Sequence, residues 1–341
     1  MKSRPTVLVV RQLTSPFVTT DIRLLRRHFS VVDYEYRKSA HPALRFATWA
    51  LRHRADFDLV LVWFGDIHAT IAVGAAFSLR KPSIIIAGGY DVSTLPGHGF
   101  LSTTRGRVLA RTHFSLCSRI LAVSPSLVAD LSKVFPGAAK KASAIPTGCD
   151  TDFWCPDTIA IRGSVLSVAI AGDWHRVHVK GLDRVAECAR LMPHRRFRIV
   201  GLWPEMAERL SPLPPNLSWT PALEPEDLRN EYRAASVYLQ LSRAEGLPNV
   251  LTEAMACGCV PVVTPVGGMP DVVRDVGFIV ASDDSRATME AIEQASRRPE
   301  LGQECRRRIV RDYSVSRRER ELTASIRSLL RPARHPGICP S

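Results

Sequence analysis

Between Ser236 and Val280 the chain passes twice through the same order of events: an apolar strand, a loop of small residues, a helix. Ser236-Val237-Tyr238-Leu239 reads as a buried strand and Glu245-Gly246-Leu247 as the loop that leaves it. Pro248 stands where a first helical residue would, a position at which its missing N–H is not needed and its φ is already helical. Val250, Leu251, Ala254 and Met255 share one helix face, and Gly258 supplies the stop. Cys259 to Thr264 is the next strand, Gly267-Gly268 a flexible loop, and Pro270 opens another helix. Short strands that are apolar throughout, each followed by a helix, specify a parallel sheet covered on both faces. Both loops then fall at the carboxyl ends of strands, the edge at which such sheets bind ligands.

The chemistry of that edge is anion binding. A helix N-terminus carries unpaired N–H groups and the positive end of the helix dipole, and small residues let a phosphate approach the backbone. Glu245, in the loop, and Glu253, on the second helical turn, would repel a phosphate and instead suit hydroxyls that donate hydrogen bonds. Phosphate together with several hydroxyls describes a nucleotide sugar. The same two residues also fit a capping Glu and a surface Glu on an amphipathic helix.

Glu245, the seven residues GLPNVLT and Glu253 resemble the E-x7-E signature of family-4 retaining glycosyltransferases, and AMACGCVPVVT (254–264) and VGGMPDVV (266–273) continue the likeness. The resemblance implies that Glu245 faces the donor sugar, that Gly246, Leu247, Pro248 and Asn249 meet diphosphate and sugar, and that Glu253 holds the ribose hydroxyls. AIPTGCDTDFWCP (144–156) is similar to the family's passage between domains, with Thr147 and Cys149 where Asn and Val are usual. Lys180-Gly181-Leu182-Asp183 matches the family's Lys-Gly-x-Asp, whose Lys clamps the donor diphosphate together with an Arg just upstream. Arg176 is the choice for that Arg, and His175 is its rival. Gly88-Gly89-Tyr90-Asp91 is similar to a loop that often reads H-G-x-D and faces the donor sugar; without the His, only Gly89 and Asp91 carry over. Many relatives have Gly-Gly in the first loop, where this chain has Thr14-Ser15-Pro16-Phe17, so no role carries over there.

The remaining chain supports the same alternation. Thr6 to Val10 is the expected first strand, followed by a loop and a helix from about Asp21 with Ile22, Leu24, Leu25 and Phe29 inward. Phe57 to Phe64 is another buried strand; Asp66 and His68 lie at its carboxyl end, and His68 is a candidate donor contact there. Asp56-Phe57-Asp58 sits at the amino end, the wrong edge for a ligand, and is rejected as a metal motif. Pro82 to Ala87 and Arg119 to Ser124 are further strands, and Pro125 opens a helix to about Phe135. Beyond the linker, Ser164 to Ala171, Arg196 to Gly201 and Val276 to Val280 read as strands, with Leu202-Trp203 placed near the nucleotide base. Helical pattern covers Ala287 to Asp312 and Val315 to Leu330; Arg331 to Ser341 reads as a loose tail.

The expectation is therefore α/β: two Rossmann-like doubly wound domains facing across a cleft, the GT-B arrangement that the resemblance implies. Residues 1–156 form the acceptor domain with the 315–330 helix packing back on it, and 157–314 form the nucleotide-sugar donor domain. The implied activity moves a hexose-type sugar from a nucleoside diphosphate to an acceptor hydroxyl, on a glycan or lipid-linked glycan, with retention and with neither metal nor other cofactor. Glu245, Lys180 and Arg176 would carry it. A non-catalytic nucleotide-sugar binder and a GT-B epimerase or phosphorylase remain open alternatives.

Charge adds a partner. Residues 1–150 hold 20 Lys+Arg against 9 Asp+Glu, whereas residues 151–341 hold 26 against 24. A basic first half suits an anionic lipid surface or acceptor. Arg105, Arg107 and Arg111 form a candidate headgroup surface. No aromatic-interleaved basic motif or zinc finger supports nucleic acid. The eight cysteines are scattered with no ligand spacing, as reduced thiols of a cytoplasmic protein would be. The apolar run after Pro5 is too short for a signal-peptide core, and Leu59 to Leu79 is interrupted by Gly65, Asp66 and His68, so the protein is expected at most peripherally at the inner membrane face.

Overall fold

The structure is a computed structural model that describes residues 4–37, 41–157, 163–281 and 284–330. Two compact units divide the chain: Met1–Val123 with Val128–Ile145 and Arg318–Ser341, and Ser124–Leu127 with Pro146–Arg317.

In the first unit the elements run β1 (Thr6–Arg11), α1 (Pro16–Arg26), β2 (Ser30–Glu35), α2 (Pro42–Arg52), β3 (Leu59–Trp63), α3 (Ile67–Ser78), β4 (Ser83–Ala87), α4 (Thr104–Leu116), β5 (Arg119–Ala122), α5 (Pro125–Val134), α6 (Pro136–Ala139) and β6 (Ala142–Ala144). The six strands form one parallel sheet in the order β2-β1-β3-β4-β5-β6. Every residue of β3 and β4 is buried, which is why, Ser83 apart, their sequences are apolar runs. The edge strand β2 is only partly buried, so its polar Ser30-Val31-Val32-Asp33-Tyr34-Glu35 escapes the apolar-run criterion. Caps fix the helix starts: Asp66 accepts from the His68 amide and Thr103 from that of Gly106.

The second unit continues β7 (Ser164–Ala171), α7 (Trp174–Val179), α8 (Leu182–Leu191), β8 (Arg196–Leu202), α9 (Pro204–Arg209), β9 (Leu217–Thr220), α10 (Pro225–Ala234), β10 (Ala235–Gln240), α11 (Asn249–Ala256), β11 (Val260–Val263), α12 (Met269–Val273), β12 (Phe278–Ile279), α13 (Ser285–Ser296) and α14 (Leu301–Asp312). The last helix, α15 (Val315–Leu330), belongs to the first unit from Arg318 onward. The sheet of the second unit is also parallel and six-stranded, ordered β12-β11-β10-β7-β8-β9. The strand order reverses direction around β7 and β10, which puts the β7 and β10 loops at the topological switch point.

Four boundaries depart from the sequence expectation. The chain enters the second unit at Pro146 rather than near Asp157. The reason is that the Cys149 amide bonds Tyr313 O at 2.7 Å and Arg306 donates to the carbonyls of Thr151, Trp154 and Ala256. The helical stretch 287–312 is two helices, broken around Pro299, which has no N–H to continue the ladder. Pro248 is the N-cap of α11, with Asn249 first in the helix, and the last strand shrinks to Phe278–Ile279. The stretch 331–341 lies outside the described residues.

Arg318, in α15, is 1% exposed in the core of the first unit. It donates to both carboxylate oxygens of Asp21 in α1, at 3.0 and 2.7 Å, and to Ile145 O at 2.7 Å, while Trp63 Nε1 donates to Asp21 at 3.1 Å. Removing one partner of a buried pair leaves an uncompensated charge, so Arg318→Met should destabilise this unit by about 3–5 kcal/mol. The double variant Asp21→Leu/Arg318→Met should recover part of that loss in urea unfolding. A double variant no more stable than Arg318→Met would show that the uncompensated charge is not what the single change costs.

Candidate functional site at the carboxyl end of β10

Three backbone segments of the second unit converge where β10 ends. Gly181 (φ +68) caps α8, and a Cβ there would lie 2.0 Å from Leu241 O. Gly267 (φ +55) would bring a Cβ within 2.2 Å of Glu245 O, and Gly268 within 2.8 Å of Gly246 O. The Gly268 amide donates to Gly246 O at 2.6 Å. These glycines are not loose joints; each allows one backbone to lie directly on another. Arg243 ties the same loops, its amide bonding Val179 O at 2.7 Å and its guanidinium bonding both oxygens of Asp183 at 2.9 and 3.0 Å.

The crowding brings Lys180 to Glu245. Lys180 Nζ donates to Glu245 Oε1 at 2.7 Å, and the Glu245 side chain is 7% exposed. Gln240 Nε2, at 2.9 Å, and Ser242 Oγ, at 2.8 Å, donate to the same oxygen. Gly246, Leu247 and Pro248 are buried, and they lead into α11, whose first amides have no partner within the helix. The Asn249 carbonyl oxygen Oδ1 accepts from Thr147 Oγ1 at 2.7 Å, which accounts for Thr147 in the linker.

Glu253, one turn along α11 from Asn249, accepts from Tyr232 Oη at 3.3 Å, and burial pushes its carboxyl up to about 7. Arg176 is exposed, 3.9 Å from Asp173, and no contact joins it to Lys180's side chain or to Glu245 among the described residues. It does precede Lys180 by one turn, the Lys180 amide bonding Arg176 O at 2.8 Å, so both side chains leave the same side of the segment. His175 is also exposed.

In the first unit the three expected donor contacts are engaged internally. Asp91 is fully buried and accepts from the amides of Gly65 at 3.0 Å, Gly88 at 3.0 Å and Gly89 at 2.8 Å. It joins the loops after β3 and β4, and Gly89 takes a φ of +117 that favours glycine. The expectation that the Asp91 carboxylate faces a sugar is therefore corrected: its oxygens are spent on backbone. His68 is 1% exposed, its Nδ1 bonded to Asp66 and its Nε2 to Trp63 O at 2.8 Å. With both ring nitrogens engaged it has none for a donor, because it lies on the inward face of α3. No cluster of metal-ligating side chains occurs among the described residues, Asp56 and Asp58 included.

Sequence reasoning missed Gln240, Ser242 and Arg243. Polar residues ending an otherwise buried strand were the available signal; Tyr232, in α10, gave none.

These paired parallel sheets define the GT-B class. The structure resembles sucrose-phosphate synthase from Thermosynechococcus elongatus with a TM-score of 0.79 at 14% identity, over 96% of this chain and 99% of that one. It resembles Anabaena HepE, solved with UDP-glucose, with a TM-score of 0.73 at 15% identity, over 95% and 99%. At such identities the likeness speaks for the fold. Residues 166–298 match the family described as glycosyl transferases group 1. One subunit of the phosphatidylinositol N-acetylglucosaminyltransferase of Arabidopsis thaliana is 29% identical over 210 residues, covering 56% of this chain and 46% of that protein. D-inositol 3-phosphate glycosyltransferase of Segniliparus rotundus is 33% identical over 167 residues, covering 42% and 36%. The matches thus span less than half the length of both relatives.

The close backbone contacts and the buried carboxyl each have a measurable consequence. Gly181→Ala should cost at least about 2 kcal/mol, since the added Cβ meets a strand carbonyl and the backbone is left-handed; a urea midpoint equal to the parent's would show that the loop accommodates it. Glu253 has a folded pKa above its ordinary 4.5, so its protonated form favours folding below about 4.5, and this contribution is lost as pH rises through about 7. Glu253→Gln should accordingly raise the melting temperature by several degrees at pH 8 and much less at pH 4.5. The same shift at both pH values in calorimetry would contradict the buried carboxylate.

Proposed function

We propose that this protein is a metal-independent retaining glycosyltransferase that moves a hexose-type sugar from a nucleoside diphosphate to an acceptor hydroxyl. The observation that carries the reading is Glu245, a carboxylate held through one oxygen at the head of α11 and in contact with Lys180. A helix N-terminus and an ammonium favour a diphosphate, while a carboxylate ready to accept hydrogen bonds favours sugar hydroxyls. Lys180 uses one of its three donors on Glu245, leaving two for phosphate oxygens. Arg176, one turn earlier, is the second cation. The backbone of Gly246 to Asn249 meets the diphosphate, and Glu253 accepts from the ribose hydroxyls.

In this mechanism the acceptor attacks the anomeric carbon from the face that the leaving group departs. As the carbon–oxygen bond to the diphosphate breaks, Lys180, Arg176 and the head of α11 stabilise its growing charge. A diphosphate oxygen then takes the proton of the acceptor hydroxyl, and Glu245 orients the sugar. Donor binds to the second unit and acceptor to the first, with Gly89 and Asp91 shaping the first unit's loops. UDP-glucose is the first donor to test, because the HepE structure holds it. An acceptor with a phosphorylated or lipid-linked polyol is favoured by the names of the two relatives.

The basic first unit supports peripheral residence on an anionic membrane at the cytoplasmic side. α3 packs between α2 and α4, and none of the three helices contains an Asp or Glu. Their exposed residues include Leu44, Leu51, Phe77 and Val108 together with Arg45, Arg52, Arg105 and Arg111. Arg107 is spent on Leu101 O and Thr104. No helix among the described residues is long and apolar enough to cross a membrane.

Incubation with UDP-, GDP-, ADP- and dTDP-sugars, read by thermal shift and slow nucleotide release, tests the activity. One donor should raise the melting temperature and release nucleotide, and Glu245→Gln should abolish release by at least about 100-fold while keeping the shift. A shift without release in the parent, with acceptors present, would mean a binder. Epimerised donor without transfer would mean an epimerase. Arg105→Glu/Arg111→Glu should lose co-sedimentation with phosphatidylserine-containing vesicles; unchanged sedimentation would remove that face as the contact.

A further inference from the structure

Three hydrogen-bond donors reach Glu245, and all three end on Oε1. Among the described residues Oε2 accepts none. Two of the donors, Gln240 and Ser242, are 4% and 0% exposed, and their side chains are too short and too deeply set to meet a ligand themselves. Gln240 is in turn oriented from behind: Tyr238 Oη, on a fully buried ring, donates to Gln240 Oε1 at 3.2 Å. The Glu245 carboxylate can only accept, which assigns the amide: Gln240 Nε2 points to Glu245 at 2.9 Å and to Ser242 Oγ at 3.4 Å, leaving Oε1 to the Tyr238 hydroxyl, which also reaches Val168 O at 3.5 Å. The Ser242 carbonyl is held by Thr264 Oγ1 at 2.6 Å.

We infer that Gln240, aided by Ser242, is a positioning residue that commits one oxygen of Glu245 to the protein and reserves Oε2 for a hydroxyl of the donor sugar. This rests on the role proposed for Glu245. The physical argument is geometric. A carboxylate on a two-carbon tether rotates freely in water, and a sugar hydroxyl must meet it within a few tenths of an ångström to gain in the transition state. Lys180 alone would fix a charge, not an orientation, since an ammonium is a flexible point donor. A planar amide locked by Tyr238 supplies the direction. It also leaves Glu245 only acceptor capacity, which selects a donor hydroxyl that gives its proton rather than one that receives.

Gln240→Met keeps length and volume without the donor. It should lower kcat for nucleotide release by about 10–50-fold while KM for the donor stays within about twofold, because the nucleotide contacts are elsewhere. Circular dichroism and the nucleotide-induced thermal shift report that the fold and the nucleotide site persist. Gln240→Glu adds the discriminating readout. Two touching carboxylates share a proton near neutral pH. The protonated pair donates to Glu245 as the amide did, so activity is retained at low pH and lost as pH rises through the raised pKa. This variant should show a falling alkaline limb between pH 6 and 8, by about tenfold, that the parent and Gln240→Met lack. If Glu245→Gln is inactive while Gln240→Met keeps parental kcat, or if Gln240→Glu gains no such limb, the positioning role is overturned. If Glu245→Gln itself is active, the failure belongs to the proposed role of Glu245.

Discussion

At the carboxyl end of β10 backbone lies directly on backbone, and the candidate site exists because of it. Leu241, Glu245 and Gly246 present carbonyls to glycines at distances that no Cβ tolerates. This contact lets α7, α8 and the loop before α12 close around one loop, and it delivers Lys180 to Glu245 from more than sixty positions away in sequence. Arg243 and Asp183 reinforce it with a two-point ion pair that is largely shielded from water. The chemistry assigned to the site depends less on any single charge than on this permission for backbones to touch.

The first unit uses its polar residues differently at the corresponding edge. Asp91 and His68 lie just beyond the carboxyl ends of buried strands, where Asp91 accepts from backbone amides and His68 bonds Asp66 and the Trp63 carbonyl. An internal carboxylate that accepts three amides ties the neighbouring loops together. Its exposed charges include Arg45 and Arg52 of α2 and Arg105 and Arg111 of α4. Arg318 adds a deeply buried guanidinium, paired with Asp21 beneath Trp63, through which α15 is fastened to α1.

Much of this was legible in the sequence. Strands such as Leu59–Trp63 and Ile84–Ala87 within β4 announce themselves because burial on both faces forbids alternation, and proline and glycine mark where helices start and stop. The edge strand Ser30–Glu35 did not, because half-burial leaves no unbroken apolar run. In the candidate site, Glu245 and Glu253 stand out by their place after a strand and by resemblance, and Lys180 by resemblance; that Lys180 meets Glu245 is legible only in the structure. His68 and Asp91 were readable only as residues at the correct edge, since direction within a loop depends on which amides lie nearby.

The sequence by itself determined the alternation of strand and helix, the parallel sheets, and the chemical kinds gathered at strand ends, because periodicity and residue type are local properties. Only the tertiary structure decided which side chains those ends spend inward. It showed Asp91 caught by three amides, Arg107 folded back on its own loop, and Gln240 turned by Tyr238 toward one oxygen of Glu245. Those outcomes depend on contacts between segments far apart in the chain, where a few tenths of an ångström between backbones separate a ligand contact from an internal bond.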